Sequence, residues 1–433
     1  MNTETQPASR KLLALPEFTS FRFRDYRLWW VGSAAVMLNM FTTQMTMAWW
    51  VLGESDSPAL VGTVIFAFGL PSLLFTIPAG AIADWWDRRK QLLIAQSLAL
   101  ATSLTFAFLT LFEVTTIPLA ILFSFLLGTT VAFSQPPRQA LIPMLIPRHL
   151  LLNGVVLGNL SQTISQMAGP AIAGGLIATL GVAAAFFFLA GLQLLGVTSL
   201  SFMRIPDFPT EVGPSGRPLQ EQTSHQVPGG ASDFLKKLAG GLIHIWEHKP
   251  LLVLLVLYTA VGFWVGGAIQ ALVPVLIRDI YGMGAPAVGL AFTVQSTTGL
   301  IVGLYLTRLG KMKNKGGFFA LSMMLGSFSL AAYSVAPSYS VALIFFATFG
   351  IAAAVYGNMS QTILQTHTPR HLMGRVLSVY ALFSQGFLPL GALQAGVIAG
   401  LIGVRFSSLY GAIICLMLAT FALLFAREFR RLG

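Results

Sequence analysis

Charge is scarce in this 433-residue chain: 9% of the residues are Asp, Glu, Lys or Arg, and only 15 are acidic. An ordinary soluble domain carries roughly 25% charged residues, so a water-facing surface of normal polarity is excluded. Cysteine is scarcer still. The one copy, Cys415, lies inside an apolar stretch, which excludes a disulfide framework and a cysteine-based metal site. The first twenty residues lack an apolar core ending in a small-residue cleavage site, so no cleaved leader is expected. The alternating ten-residue segments of an outer-membrane barrel are also missing.

What is abundant is hydrophobic sequence, 55% of the chain, in runs of about the twenty residues needed to cross a bilayer as a helix. The runs predict an all-α membrane protein with twelve spans, near 27–52, 58–83, 91–112, 117–137, 151–180, 182–203, 251–277, 287–307, 316–336, 340–366, 376–402 and 406–426. Numbering the connectors alternately puts Arg88, Arg89, Lys90, Arg138, Arg148, Arg308, Lys311, Lys313, Lys315, Arg370 and Arg375 on one face. Only Arg278 and Arg405 fall on the other. That bias predicts both termini in the cytoplasm of a bacterial-type inner membrane, and it accounts for the net charge of +11 without a nucleic-acid partner.

The chain predicts a cytoplasmic arm over 1–20, a six-helix half over 21–204, a linker over 205–245, a second half over 246–427 and a tail over 428–433. The linker holds Pro206, Pro209, Pro214, Pro218, Pro228, Gly229 and Gly230. Past it, Ser232 can cap a helix with Phe234, Leu238, Leu242 and Ile245 on one side, either lying on the membrane surface or leading into span seven. Duplication of the halves is written in the sequence. The string from Pro147 to Leu150 recurs from Pro369 to Leu372, 222 residues later, and Gln139 with Gln361, and Gly181-Val182 with Gly403-Val404, repeat that offset. Pseudo-symmetric repeats around a central site are a transporter architecture.

Between spans two and three the chain reads Gly80-Ala-Ile-Ala-Asp84-Trp-Trp-Asp87-Arg88-Arg89-Lys90, and between spans eight and nine Gly303-Leu-Tyr-Leu-Thr307-Arg308-Leu-Gly310-Lys311. Both resemble the loop signature of the major facilitator superfamily, although the first has Trp85 and Asp87 at its basic and glycine positions and the second lacks the acid. Gln135-Pro-Pro-Arg138 through Pro147, Asn153, Gly374-Arg375-Val-Leu-Ser378 and Pro389-Leu-Gly391 resemble the branch of enterobactin exporters and macrolide-efflux proteins. The resemblance implies a secondary transporter working by alternating access, as an exporter of amphipathic drug, macrolide or siderophore-type molecules. The alternatives are a facilitator or importer of a neutral solute, or a non-transporting sensor. It also implies a conformational switch at Gly80, Asp84, Asp87, Arg88, Arg89, Lys90, Gly303, Arg308, Arg138 and Arg375. Physically, a glycine there admits a neighbouring helix, and a carboxylate there meets an arginine or a helix N-terminus. Gly169-Pro170 in span five is read as a kink beside small residues.

A solute held near mid-membrane needs polar side chains there. The candidates are Asn39 and Gln44 in span one, Asn159, Gln162 and Gln166 in span five, Gln270 in span seven, Gln295 in span eight, Asn358 and Gln361 in span ten, and Gln385 in span eleven. Met37, Met40 and Met45 add adaptable surface. Trp29, Trp30, Trp49 and Trp50 are expected as interfacial anchors. His244-Ile-Trp-Glu247-His248 spells a zinc-peptidase pattern, but no third ligand accompanies it, so neither a metal nor catalysis is expected. Apart from Arg27 at the very start of the first, none of the spans as drawn contains Asp, Glu, Lys, Arg or His. Proton coupling is therefore expected through a rim carboxylate or the solute's own titrating group, if at all. The expected partners are a small molecule, the lipid bilayer and conceivably protons, on a monomeric protein.

Overall fold

The computed structural model describes residues 16–205, 231–308, 314–369, 372–430 and 432; the side chains of residues 16–18, 77, 81, 84, 85, 231–238, 307, 385 and 427 stand outside that description. Residues 206–230 of the predicted linker, Gly310, Lys311, Lys313, Arg370 and the chain's first fifteen residues also fall outside it. No strand occurs among the described residues. The long helices are α1 (Arg24–Ser55), α2 (Pro58–Trp85), α3 (Arg88–Leu111), α4 (Ile117–Leu145), α5 (Leu151–Leu180), α6 (Val182–Phe202), α7 (Ala231–Glu247), α8 (Lys249–Asp279), α9 (Ala285–Arg308), α10 (Lys315–Val335), α11 (Tyr339–His367), α12 (Met373–Ile402) and α13 (Val404–Phe425). Apolar segments of this length must satisfy their backbone internally, which a helix does.

Eleven of these, α2 to α6 and α8 to α13, are long and apolar enough to cross a membrane. Of the other two, α7 has 17 residues, and α1 spans 32 but carries Asn39, Thr42, Thr43, Gln44 and Thr46 through its middle, which lowers its hydropathy. Ser57 caps α2 by accepting the Leu60 N–H, with Pro58 at the first helical position, and the Asp87 carboxylate caps α3 by accepting the Lys90 N–H at 2.9 Å. The repeated strings adopt repeated shapes. Leu150 N–H donates to Pro147 at 2.9 Å and Leu372 N–H to Pro369 at 3.0 Å. Gly181 and Gly403, which open α6 and α13, have φ of +84° and +91°, a region that favours glycine.

One boundary corrects the sequence reading. The fourth span was expected to stop at the Pro136-Pro137 pair, because proline removes an intrahelical donor. Instead α4 runs on to Leu145, through Pro143 as well. The carbonyl of Phe133, which Pro137 cannot bond, accepts from Gln91 Nε2 of α3 at 3.2 Å, and the same amide reaches Ala79 of α2 at 3.1 Å. Arg138 therefore lies inside a helix, about 10 Å along the axis from its end, and not in a connector. Asp84, Arg375 and His367 are likewise drawn into the terminal turns of α2, α12 and α11.

Short connectors make successive long helices antiparallel, so each falls between an end carrying Asp56 and Arg278 and an end carrying Asp87 and Arg308. Two pairs join the first six long helices to the last six: α2 packs along α12, and α5 along α9. Both bring backbone close to backbone toward the Asp56 end. A Cβ on Gly62 would lie 2.5 Å from the Ala392 carbonyl, and one on Gly174 would lie 2.5 Å from the Ala285 carbonyl. Arg278 of α8 completes the closure, donating to Asp56 at 2.5 Å, to the Leu52 carbonyl that ends α1 at 2.6 Å, and to Asp279 at 2.7 Å. At the opposite end a Cβ on Gly80 would meet nothing within 4 Å, and one on Gly303 only Asn358 Nδ2 at 4.0 Å. The close approach expected of these two glycines is not made here.

α7 packs on α12 at Gly240 and Gly241, against the Arg375 side chain and carbonyl. Ile245 is buried, while Ile243 and Trp246 stay exposed.

Candidate functional site

A cavity of about 250 Å³ lies where α1, α2, α5, α8, α9, α11 and α12 converge. Four of the ten predicted amides meet there: Gln44 from α1, Gln166 from α5, Gln270 from α8 and Gln295 from α9. Around them stand Phe41, Met45, Phe292, Phe349 and Tyr356. No Asp, Glu, Lys, Arg or His lines this cavity. None of the four amide side chains has a hydrogen-bond partner among the described residues, so their donors and acceptors are available to a guest.

Local sequence explains why α5 and α8 present polar backbone here as well. Pro170 and Pro274 stand four residues after Gln166 and Gln270 and line the same cavity. Each removes the N–H that would bond that glutamine's own carbonyl. In α12, Pro389 stands four residues after Gln385, whose side chain is outside the description. In α8 the chain also widens into a π turn over Val261–Gly266, and Gly266 reaches the cavity wall. Gly169 lets α1 come close to α5: a Cβ there would lie 2.9 Å from that of Phe41.

A second cavity, of about 310 Å³, is lined by α1, α4 and α5 through Trp29, Ser33, Met37, Arg138, Gln139, Asn159 and Gln162. Gln162 and Gln166 are one helical turn apart on α5, as are Met37 and Phe41 on α1. Residues lining the two cavities thus follow one another along α1 and α5, about 6 Å apart along the helix axes. Sequence reasoning missed this second cavity because it ended α4 too early. The signal available was a basic residue directly after a proline pair.

Asn39 sits elsewhere. It is 4% exposed, its Nδ2 donates to the Leu189 carbonyl at 2.7 Å, and its Oδ1 accepts from Gln193 and Thr43, so it joins α1 to α6. Asn358 donates to its own helix at Ala354, and neither it nor Gln361 lines a cavity described above. Trp29 and Trp50, expected at the lipid interface, are buried. Trp29 donates to the Arg138 carbonyl at 3.1 Å and Trp30 to that of Leu157 at 2.9 Å, while Trp50 packs edge-on to Phe106.

The basic residues of the first loop are held locally. Arg89 donates to the carbonyls of Leu200 and Ser201 and so caps the C-terminus of α6. Arg88 bonds the Ala83 carbonyl and the Met144 sulfur. Lys90, Arg308 and Arg375 are exposed, and the Asp84 side chain is outside the description. In the zinc-peptidase-like string the rings of His244 and His248 lie 4.1 Å apart, and no group of three potential metal ligands occurs among the described residues.

Over residues 16–430 the chain matches the family described as transmembrane secretion effector. It is 25% identical to the staphyloferrin A transporter of Staphylococcus aureus, with 86% of this chain and 89% of the relative covered. It is 20% identical to macrolide efflux protein A of Streptococcus pyogenes (90% and 93% covered), and 25% to the enterobactin exporter EntS of Shigella flexneri (93% and 90%). Among solved structures, the fold is shared with a bacterial homolog of the human lysosomal transporter Spinster in an inward-facing, unoccupied conformation, at TM-score 0.72 and 14% identity, covering 94% of this chain and 98% of that one. A D-xylose–proton symporter gives 0.70 at 14%, covering 92% and 97%. With the family matched from the turn before α1 to the residues after α13, the chain belongs to the major facilitator superfamily, in the branch of transmembrane secretion effectors that includes macrolide-efflux proteins and enterobactin exporters.

Proposed function

We propose that the protein is a secondary exporter that carries small amphipathic molecules out of a bacterial cytoplasm by alternating access, as a monomer in the inner membrane. The observation that carries this reading is the cavity of about 250 Å³, uncharged among the described residues, in which four glutamine amides converge without hydrogen-bond partners among those residues. Amides and aromatic rings suit solutes of mixed polarity, and relatives named for staphyloferrin A, macrolides and enterobactin support export. In this reading α1 is the twelfth span. The halves 21–204 and 246–427 rock about the α2–α12 and α5–α9 contacts, and both termini are cytoplasmic. The Asp56 end is then periplasmic and closed, and the Gly80 end cytoplasmic and open. Gly80, Asp84 and Gly303 engage in the opposite state, when their end closes.

The test is a deletion strain challenged with hydrophobic dyes, macrolides and catecholate or citrate-based chelators, paired with flux of the same compounds in proteoliposomes. Hypersensitivity to at least one, with matching saturable flux lost in a Gln166→Ala, Gln270→Ala double variant, is expected. Unchanged sensitivity with no flux in either direction would overturn the export reading.

A further inference from the structure

Arg138 is the sole charged residue on the wall of the second cavity. Its one side-chain hydrogen bond among the described residues goes to the neutral Gln135, whose Oε1 accepts from Nη2 at 2.6 Å, and none of those residues gives it a carboxylate partner. A guanidinium two turns inside a membrane-spanning helix is costly to hold without a counter-charge. The surrounding packing nevertheless fixes it in position: Trp29 bonds its carbonyl, and Gln91 stabilises the helix across the proline pair just before it. The two further guanidinium nitrogens of Arg138 have no hydrogen-bond partner among the described residues, and Asn159 and Gln162 line the same cavity, a donor set that suits a carboxylate.

We propose that this cavity is a subsite for an anionic group, a carboxylate or phenolate, of the exported molecule. Arg138 captures the anion from the open end, and the apolar remainder of the molecule reaches the amide-lined cavity one turn deeper. The proposal rests on the export reading for its direction but narrows the substrate: neither cavity offers a carboxylate to a cationic drug, whereas an acidic amphiphile finds its counter-charge waiting.

The test reads occupancy rather than flux. In a Cys415→Ala background, Val155→Cys places a single thiol on the cavity wall, where the native valine is 37% exposed. In phosphatidylcholine nanodiscs, a sulfonate-bearing methanethiosulfonate is expected to label it faster than a trimethylammonium one, by about tenfold or more. Pyrenebutyrate is expected to protect the thiol at concentrations where pyrenebutyramide does not. Arg138→Gln removes both effects, and Arg138→Lys, which keeps the charge, retains the labelling preference if the glutamine variant fails to fold. Equal protection by acid and amide, or protection that survives Arg138→Gln, overturns the proposal. Protection by added phosphatidylglycerol but not by pyrenebutyrate also overturns it, assigning the charge to a lipid headgroup. Selective protection without flux of any tested compound would leave the subsite standing and reject the export reading instead.

Discussion

Among the polar side chains inside the bundle, hydrogen-bond partners separate two kinds. Gln166 and Gln270 have none, so Gln166→Ala or Gln270→Ala is expected to change relative flux across a panel of solutes while purified yield and thermal midpoint stay near wild type. Asn39 has three. Asn39→Ala leaves the buried Gln193 side-chain amide without its acceptor and removes the bond to Leu189, and a loss of about 1–2 kcal/mol is expected, read as a lower thermal midpoint in detergent with solute preference unchanged. From sequence the two kinds look alike, since an amide at mid-span is compatible with either face of a helix. The direction of each side chain depends on which neighbour the helix packs against, α6 for Asn39 and empty space for Gln166, and that is a property of the assembled bundle. Gln44, Gln270 and Gln295 were legible as polar mid-span residues, but their convergence was not.

At the scale of helices, the span boundaries were largely legible because apolar run length maps directly onto bilayer thickness. The end of α4 was not. A proline pair stops a helix in water, yet inside a bundle a side chain from another helix can take the freed carbonyl. Gln91→Leu removes that acceptor's partner, so α4 is expected to loosen near Phe133, seen as faster amide exchange over residues 130–140 with little change in α10 or α11. The contact between α1 and α8 acts differently. Arg278 bonds Asp56 and the last carbonyls of α1 only while the Asp56 end is closed, so Arg278→Gln is expected to shift the population toward opening there. Increased reactivity of a cysteine placed at Ala59 or Gly400, with reduced reactivity at Gly80, is the measurement. An unchanged pattern would show that the α2–α12 packing alone holds that end shut.

For the whole molecule, the closed end depends on glycines that admit a backbone, and the other end on glycines that meet nothing in this state. A bulky residue should therefore act oppositely at the two ends. Gly62→Leu is expected to hold the Asp56 end apart and Gly80→Leu to prevent closure of the other, each abolishing flux while leaving the protein folded, with opposite cysteine-accessibility patterns. Duplication was legible in the sequence through its repeated strings; the state in which the two sets of helices meet was not, since one sequence encodes both states. The lone guanidinium of the second cavity has an electrical consequence. In the proposed orientation, a single positive charge near the cytoplasmic side of an unloaded carrier is held there by an inside-negative membrane potential, which acts on a full elementary charge with about 2.3 kcal/mol per 100 mV. Once a monovalent anion binds, the pair is neutral and the outward stroke is electrically silent. The potential then does its work as the empty carrier returns, drawing Arg138 back toward the cytoplasm. A carrier built this way can expel an acid against its concentration gradient with no carboxylate or histidine among the described residues that line its cavities, driven by voltage alone. Valinomycin-imposed potentials, inside negative, should accelerate pyrenebutyrate efflux from proteoliposomes and leave pyrenebutyramide unaffected.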